Sequence, residues 1–196
     1  MDLRTTLNHF LIWLIYPLWL LAGFFDYLFH RRTRIEHTSG PTESWLHLAQ
    51  FVSLAIPLFL LTFFEVTSLV IWLVAAAVLL HTVLSVADVS YTDGRRYISP
   101  LEQHVHGFMS VLPVIAVGII AVLNWTEILN SGWALRPKAV PVSPGRGALL
   151  VGSYVILAGT PIVEELIRTS RGFRHHQVEN DDESEESHRA EQDPES

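Results

Sequence analysis

Five stretches of the chain contain no Asp, Glu, Lys or Arg: 5–25, 44–64, 66–87, 103–126 and 147–163. They are 21, 21, 22, 24 and 17 residues long. A bilayer core of about 30 Å needs ~20 helical residues at about 1.5 Å each. In lipid every backbone polar group must be satisfied within its own segment, so helices are the default, and the alternation of a membrane strand is absent. The pattern predicts an all-α integral membrane helical bundle of about five transmembrane helices. The spans read as 8–33, 41–64, 67–90, 100–125 and 147–168. With 49% hydrophobic and 17% charged residues, the chain does not read as a water-soluble enzyme or a nucleic-acid binder.

The net charge of −7 comes mostly from the end of the chain. Residues 179–196 (ENDDESEESHRAEQDPES) hold no large apolar side chain and cannot offset their ordering entropy. Domain organisation is thus expected as a transmembrane domain over 1–175 and an acidic, disordered cytoplasmic tail over 176–196. The absence of cysteine removes thiolate ligands and thiol nucleophiles and suits a bacterial inner membrane. The first apolar run is too long for a signal-peptide core, so no cleaved leader is expected.

Cationic residues set the expected topology. Arg31, Arg32, Arg34, Arg95, Arg96, Arg168, Arg171, Arg174 and Arg189 fall on one side, and Arg4, Arg136, Lys138 and Arg146 on the other. The positive-inside rule then places the N-terminus outside and the C-terminus in the cytoplasm. Segment 127–146 becomes an external linker. The arginines near the spans are expected to set topology and meet anionic headgroups. Pro17, Pro57 and Pro113 are expected to disturb the first, second and fourth helices. Gly147, Gly152 and Gly159 are expected to let the fifth pack closely.

Ionisable residues at the span ends are ordered. Asp26 and His30 close the first span, Glu43 and His47 open the second, His81 and Asp88 close the third, and Glu102 and His106 open the fourth. Spacings of four or seven put each pair on one helix face. Each of four helices therefore offers a carboxylate and an imidazole at the cytoplasmic end. Pro41-x-Glu43-x-x-x-His47 and Pro100-x-Glu102-x-x-x-His106 also repeat one motif after an Arg-Arg pair, so the first four spans read as two related hairpins. Glu43 and Glu102 taken singly are ordinary helix-capping residues. Four pairs at one membrane side point to a metal site, as in bundles that build dinuclear centres from facing helices. His37 and His104 break the pattern and are expected at the periphery. Either Glu164 or Glu165 could complete the site, though pairing with Arg168 or headgroup exposure is the expectation for both.

The donors are oxygen and imidazole without sulfur, which suits iron, manganese or zinc. Eight ligands suffice for two ions, so two Fe ions are expected, with Zn or Mn possible. The His-rich clusters at the cytoplasmic helix ends of a small multi-helix protein resemble the membrane-bound di-iron desaturase and hydroxylase group; the dense histidine runs are His104-Val-His106 and His175-His176. That resemblance implies a non-haem di-iron centre, O₂ and a separate electron donor. The histidine boxes of that group have no counterpart here, and carboxylates stand where it uses histidines. The segments FDYLFHRRTRIEHTSG and ESWLH are also similar to those of small bacterial membrane proteins.

The expected function is oxidation of a lipid or other apolar substrate at the cytoplasmic face. A zinc-dependent lipid hydrolase and a haem carrier using His47 and His106 stay open as alternatives. In the hydrolase, Ser85 or Ser90 would stand near the site.

Overall fold

The computed structural model describes residues 2–173, so the acidic tail assigned to 176–196 lies outside the described residues. Five helices are long and apolar enough to cross a membrane: α1 (Leu3–Thr33), α2 (Pro41–Phe63), α3 (Ser68–Thr92), α4 (Pro100–Leu123) and α6 (Pro144–Phe173). The short α5 (Trp125–Asn130) follows α4. The all-α bundle expected from the charge-free runs is the observed architecture, and it is consistent with an integral membrane protein. The first span begins earlier than expected, because the Asp2 carboxylate accepts from the Thr5 amide at 2.7 Å and caps α1. The last begins three residues early, at Pro144, and continues to Phe173.

The burial pattern is inverted relative to a water-soluble domain. Leu14, Leu18, Leu21, Phe25 and Leu28 of α1 are exposed, while Asp26 and His30 are buried. Among the described residues, buried polar side chains outnumber buried apolar ones. Such a surface is stable against acyl chains rather than water.

Packing is strongest between α2 and α3, between α1 and α4, and between α3 and α4. Helix α6 lies between α1 and α2. Its Tyr154 ring stacks on Trp19 of α1 at 5.6 Å and on Phe51 of α2 at 4.6 Å. Gly159 explains part of this approach: a Cβ there would come within 3.2 Å of the Phe51 ring. Gly147 and Gly152 face open space, so only one of the three glycines carries the expected close packing.

Two prolines leave a visible mark. Leu11–Ile15 and Val155–Gly159 are π turns, each ending two residues before a proline, Pro17 and Pro161. Proline lacks the donor for the i−4 bond, and the widened turn accommodates its ring.

The linker is not free-standing. Glu65 N donates to Arg136 O at 2.9 Å, and Lys138 N donates to Phe63 O at 3.0 Å. Thr67 adds a hydroxyl bond to Ala134 O at 2.7 Å. The chain after α5 is thereby tied to the α2–α3 connection, at the end of the bundle opposite Asp26 and Glu102.

Candidate metal centre

The last turns of α1, α3 and α6 and the first turns of α2 and α4 meet at one end of the bundle. Asp26, His30, Glu43, His47, Asp88 and Glu102 are buried there, and His106 is 11% exposed. The local geometry follows from the sequence. Ser99 and Glu102 form a reciprocal capping box, at 3.2 Å from the Glu102 amide to Ser99 Oγ. On α2 the Ser39 hydroxyl donates to Glu43 Oε2, one residue before the Gly40 cap. Glu102 is therefore a capping residue and a site residue at once, while Glu43 is fixed by the Ser39 hydroxyl with no side-chain cap on α2.

The convergence expected from the four pairs is present in three of them. His106 Nδ1 lies 3.0 Å from Asp26 Oδ1, and His106 Nε2 lies 3.3 Å from Asp88 Oδ2. The same Asp88 oxygen lies 3.2 Å from His47 Nε2. His30 Nε2 faces three carboxylates, Asp26 at 3.6 Å, Glu102 at 3.7 Å and Glu43 at 3.8 Å. The His30 and His47 rings stack at 4.4 Å and 3°. Asp26, His30 and His47 offer ligand atoms all within 4.8 Å of one another, as do Glu43, His47 and Asp88, with His47 common to both sets.

The fourth pair divides. Asp88 joins the cluster, but the His81 imidazole does not touch the carboxylates; its Nδ1 lies 3.4 Å from Gln50 O. His81 sits two turns deeper along α3, because seven residues advance the helix by about 10 Å. It borders the cluster instead through a cavity of about 60 Å³ shared with Asp26, His30, His47 and Gln50. His104 is exposed and bonds Pro100 O, and His37 is exposed, both as expected. Ser85 bonds Ser110 and Ser90 bonds Val86 O, so neither hydroxyl enters the cluster.

Two residues stand where the sequence does not lead one to expect them. Glu165, expected at headgroups or paired with Arg168, is 2% exposed. Its two oxygens lie 2.7 Å from His47 Nδ1 and 3.1 Å from His30 Nδ1. Its neighbour Glu164 does make the peripheral contacts, to Tyr27, Arg31 and Arg168. Arg96, expected at headgroups, is buried between Glu43 at 2.7 Å and Glu102 at 2.6 Å. Burial opposes its charge, but the Glu43 and Glu102 carboxylates outweigh that and hold the guanidinium above its ordinary pKa.

Two features of the cluster bear on cations. His30 Nε2, His106 Nδ1 and Asp26 Oδ1 are buried without a hydrogen bond among the described residues, the last two 3.0 Å apart. Five buried carboxylates against the single Arg96 guanidinium leave four negative charges when the imidazoles are neutral. Buried charge without compensation is costly, so such a site needs cations or protons. A haem axial pair does not fit. The Asp88 carboxylate occupies the space between the Nε2 atoms of His47 and His106, where iron and its macrocycle would have to lie. No family model, curated protein or solved structure matches the chain.

Proposed function

We propose that the cluster is a dinuclear metal centre, with iron the preferred metal, and that the chain is a membrane-embedded oxidoreductase acting on a lipid or other apolar substrate. The observation that carries this is the set of buried imidazole nitrogens and carboxylate oxygens facing one another at 3.0–3.8 Å without hydrogen-bond geometry. Ligands each about 2.1 Å from one ion, at octahedral or tetrahedral angles, stand roughly 3.0–3.4 Å apart. The four excess negative charges match two divalent cations. His30, His47, His106, Asp26, Asp88, Glu43 and Glu102 would hold them, with Glu165 orienting two of the imidazoles. Mixed carboxylate and imidazole donors without sulfur favour iron, manganese or zinc. Bound iron would supply O₂-dependent oxidation of an unreactive chain.

The arginine distribution supports a cytoplasmic location for the cluster face, and the absence of cysteine suits a bacterial inner membrane. With no cysteine in the chain, electrons would come from a separate donor protein docking at that face. Exposed Arg31, Arg32, Arg34 and Arg95 fit an acidic partner.

Metal analysis of the purified protein tests the proposal. About two irons per chain, with turnover that requires both reductant and O₂, is the expected result. Zinc with anaerobic conversion of a lipid would replace it with the hydrolase reading.

A further inference from the structure

The half of the bundle opposite the cluster is hollow. A cavity of about 830 Å³ lies among α1, α2, α3, α4 and α6, within the roughly 300–1,000 Å³ range of small-molecule sites. Its walls are mostly apolar, including Ile15, Leu58, Leu112 and Val117. Its floor is Trp19 and Leu54, and both also border the small cavity beneath His30, His47 and Asp26. Asn8 and Trp19 both line it, eleven residues apart on α1, which spans about 16 Å at 1.5 Å per residue.

The mouth has a different character. Arg136, Lys138 and Arg146 line it, and none pairs with a carboxylate among the described residues. Lys138 Nζ is spent on a backbone carbonyl, Leu61 O at 2.7 Å, and its partial burial pushes the amine below the ordinary lysine pKa. Glu65 and Glu127 also line the mouth, and Glu65 Oε1 accepts the Ala139 amide at 3.3 Å. Cations exceed acids by one, and both arginines are exposed. Guanidinium groups bind carboxylate and phosphate oxygens through paired N–H donors.

We infer that this cavity binds a single-chain amphiphile with an anionic head, carboxylate or phosphate, the head at Arg136 and Arg146 and the chain running down to Trp19 and Leu54. As a binding site this stands on the cavity alone; as the identity of the substrate it rests on the metal-centre proposal. The chain end would then lie one side chain away from the cluster cavity. That would place the reaction at or near the far end of the chain, remote from the head.

The test uses the full chain in phosphatidylcholine nanodiscs, with Trp13, Trp45, Trp72, Trp125 and Trp133 replaced by Phe. All five are exposed, so Trp19 becomes the sole tryptophan with little disturbance of packing. The probes are ω-bromododecanoate, ω-bromododecyl phosphate and neutral ω-bromododecanol. The expected result is saturable quenching of Trp19 by one or both anions, weakened roughly tenfold or more in Arg136→Glu/Arg146→Glu. Which anion binds tighter identifies the head. Arg136→Lys/Arg146→Lys should recover part of the affinity, which separates lost charge from misfolding. Chelator-treated protein should bind equally well, so failure of the metal proposal leaves this result intact. Non-saturable quenching, or equal affinity for the neutral alcohol, overturns the inference.

Discussion

Glu165 Oε1 of α6 lies 2.7 Å from His47 Nδ1 of α2, and the second oxygen of the same carboxylate lies 3.1 Å from His30 Nδ1 of α1. One carboxylate thus takes the outer nitrogen of two stacked imidazoles and turns both Nε2 atoms toward the other carboxylates. Outer partners of this kind fix tautomer and ring orientation, and losing one typically costs about 10–100-fold in metal affinity. Glu165→Gln is expected to release metal to a competing chelator at correspondingly lower concentration. Glu164→Gln, altered at the rim, should match the parent. Equal retention in both variants would remove Glu165 from the site.

Among the histidines, the structure ranks by contact. His47→Ala and His106→Ala are expected to lose metal, because each imidazole contacts two of the buried carboxylates. His81→Ala should keep its metal, since its ring contacts Gln50 O and borders the shared cavity but touches none of the carboxylates. Metal-to-protein ratios after gel filtration decide this; loss in His81→Ala with retention in His47→Ala would reverse the assignment.

Arg96 separates two carboxylates that would otherwise face one another in the interior. Arg96→Met should destabilise the bundle by about 3–5 kcal/mol, as expected for removing one partner of a buried ion pair. Arg95→Met, exposed and placed over the Tyr91 ring, should stay within about 0.5 kcal/mol. Unfolding midpoints of the two variants in one detergent give the comparison.

Gly159→Leu should cost about 1–3 kcal/mol, because its side chain must displace Phe51. Gly152→Leu, where a Cβ meets open space, should leave the unfolding midpoint near that of the parent.

The bundle and most of the cluster were legible because both rest on local spacing. Charge-free runs mark spans, and Asp26–His30, Glu43–His47 and Glu102–His106 share faces at four-residue intervals whatever their neighbours do. Glu165 has no imidazole on its own helix, so its role depends on where α6 lodges, which is a tertiary fact. A signal does exist: Glu165 and Thr169 stand four residues apart and are buried, while Val163 and Ile167 are exposed. A polar stripe opposite an apolar one, in a span, marks the inward side. The positive-inside rule puts Arg96 at the headgroups because it counts charges in loops without distinguishing those that fold inward. His81 shares the Asp88 face without reaching the cluster, because a shared face does not imply a shared depth. Seven residues keep an azimuth but change the level by two turns.

The π turns before Pro17 and Pro161 each amount to one residue inserted into an otherwise continuous helix. A π turn closes about one helical turn with one more residue than an α turn uses, so the extra residue is absorbed where it stands and the helix on either side keeps its phase. In an unbulged α-helix the same extra residue would rotate everything beyond it by about 100°. Leu11–Ile15 is thus the stretch of α1 where the chain can lose one residue by closing the wide turn, leaving Asn8 and Leu11 facing the cavity and Asp26 and His30 facing the cluster. A one-residue deletion in the α-helical stretch from Leu18 to Phe25 has no such slack, and it would turn the cavity-lining residues of α1 away from their neighbours.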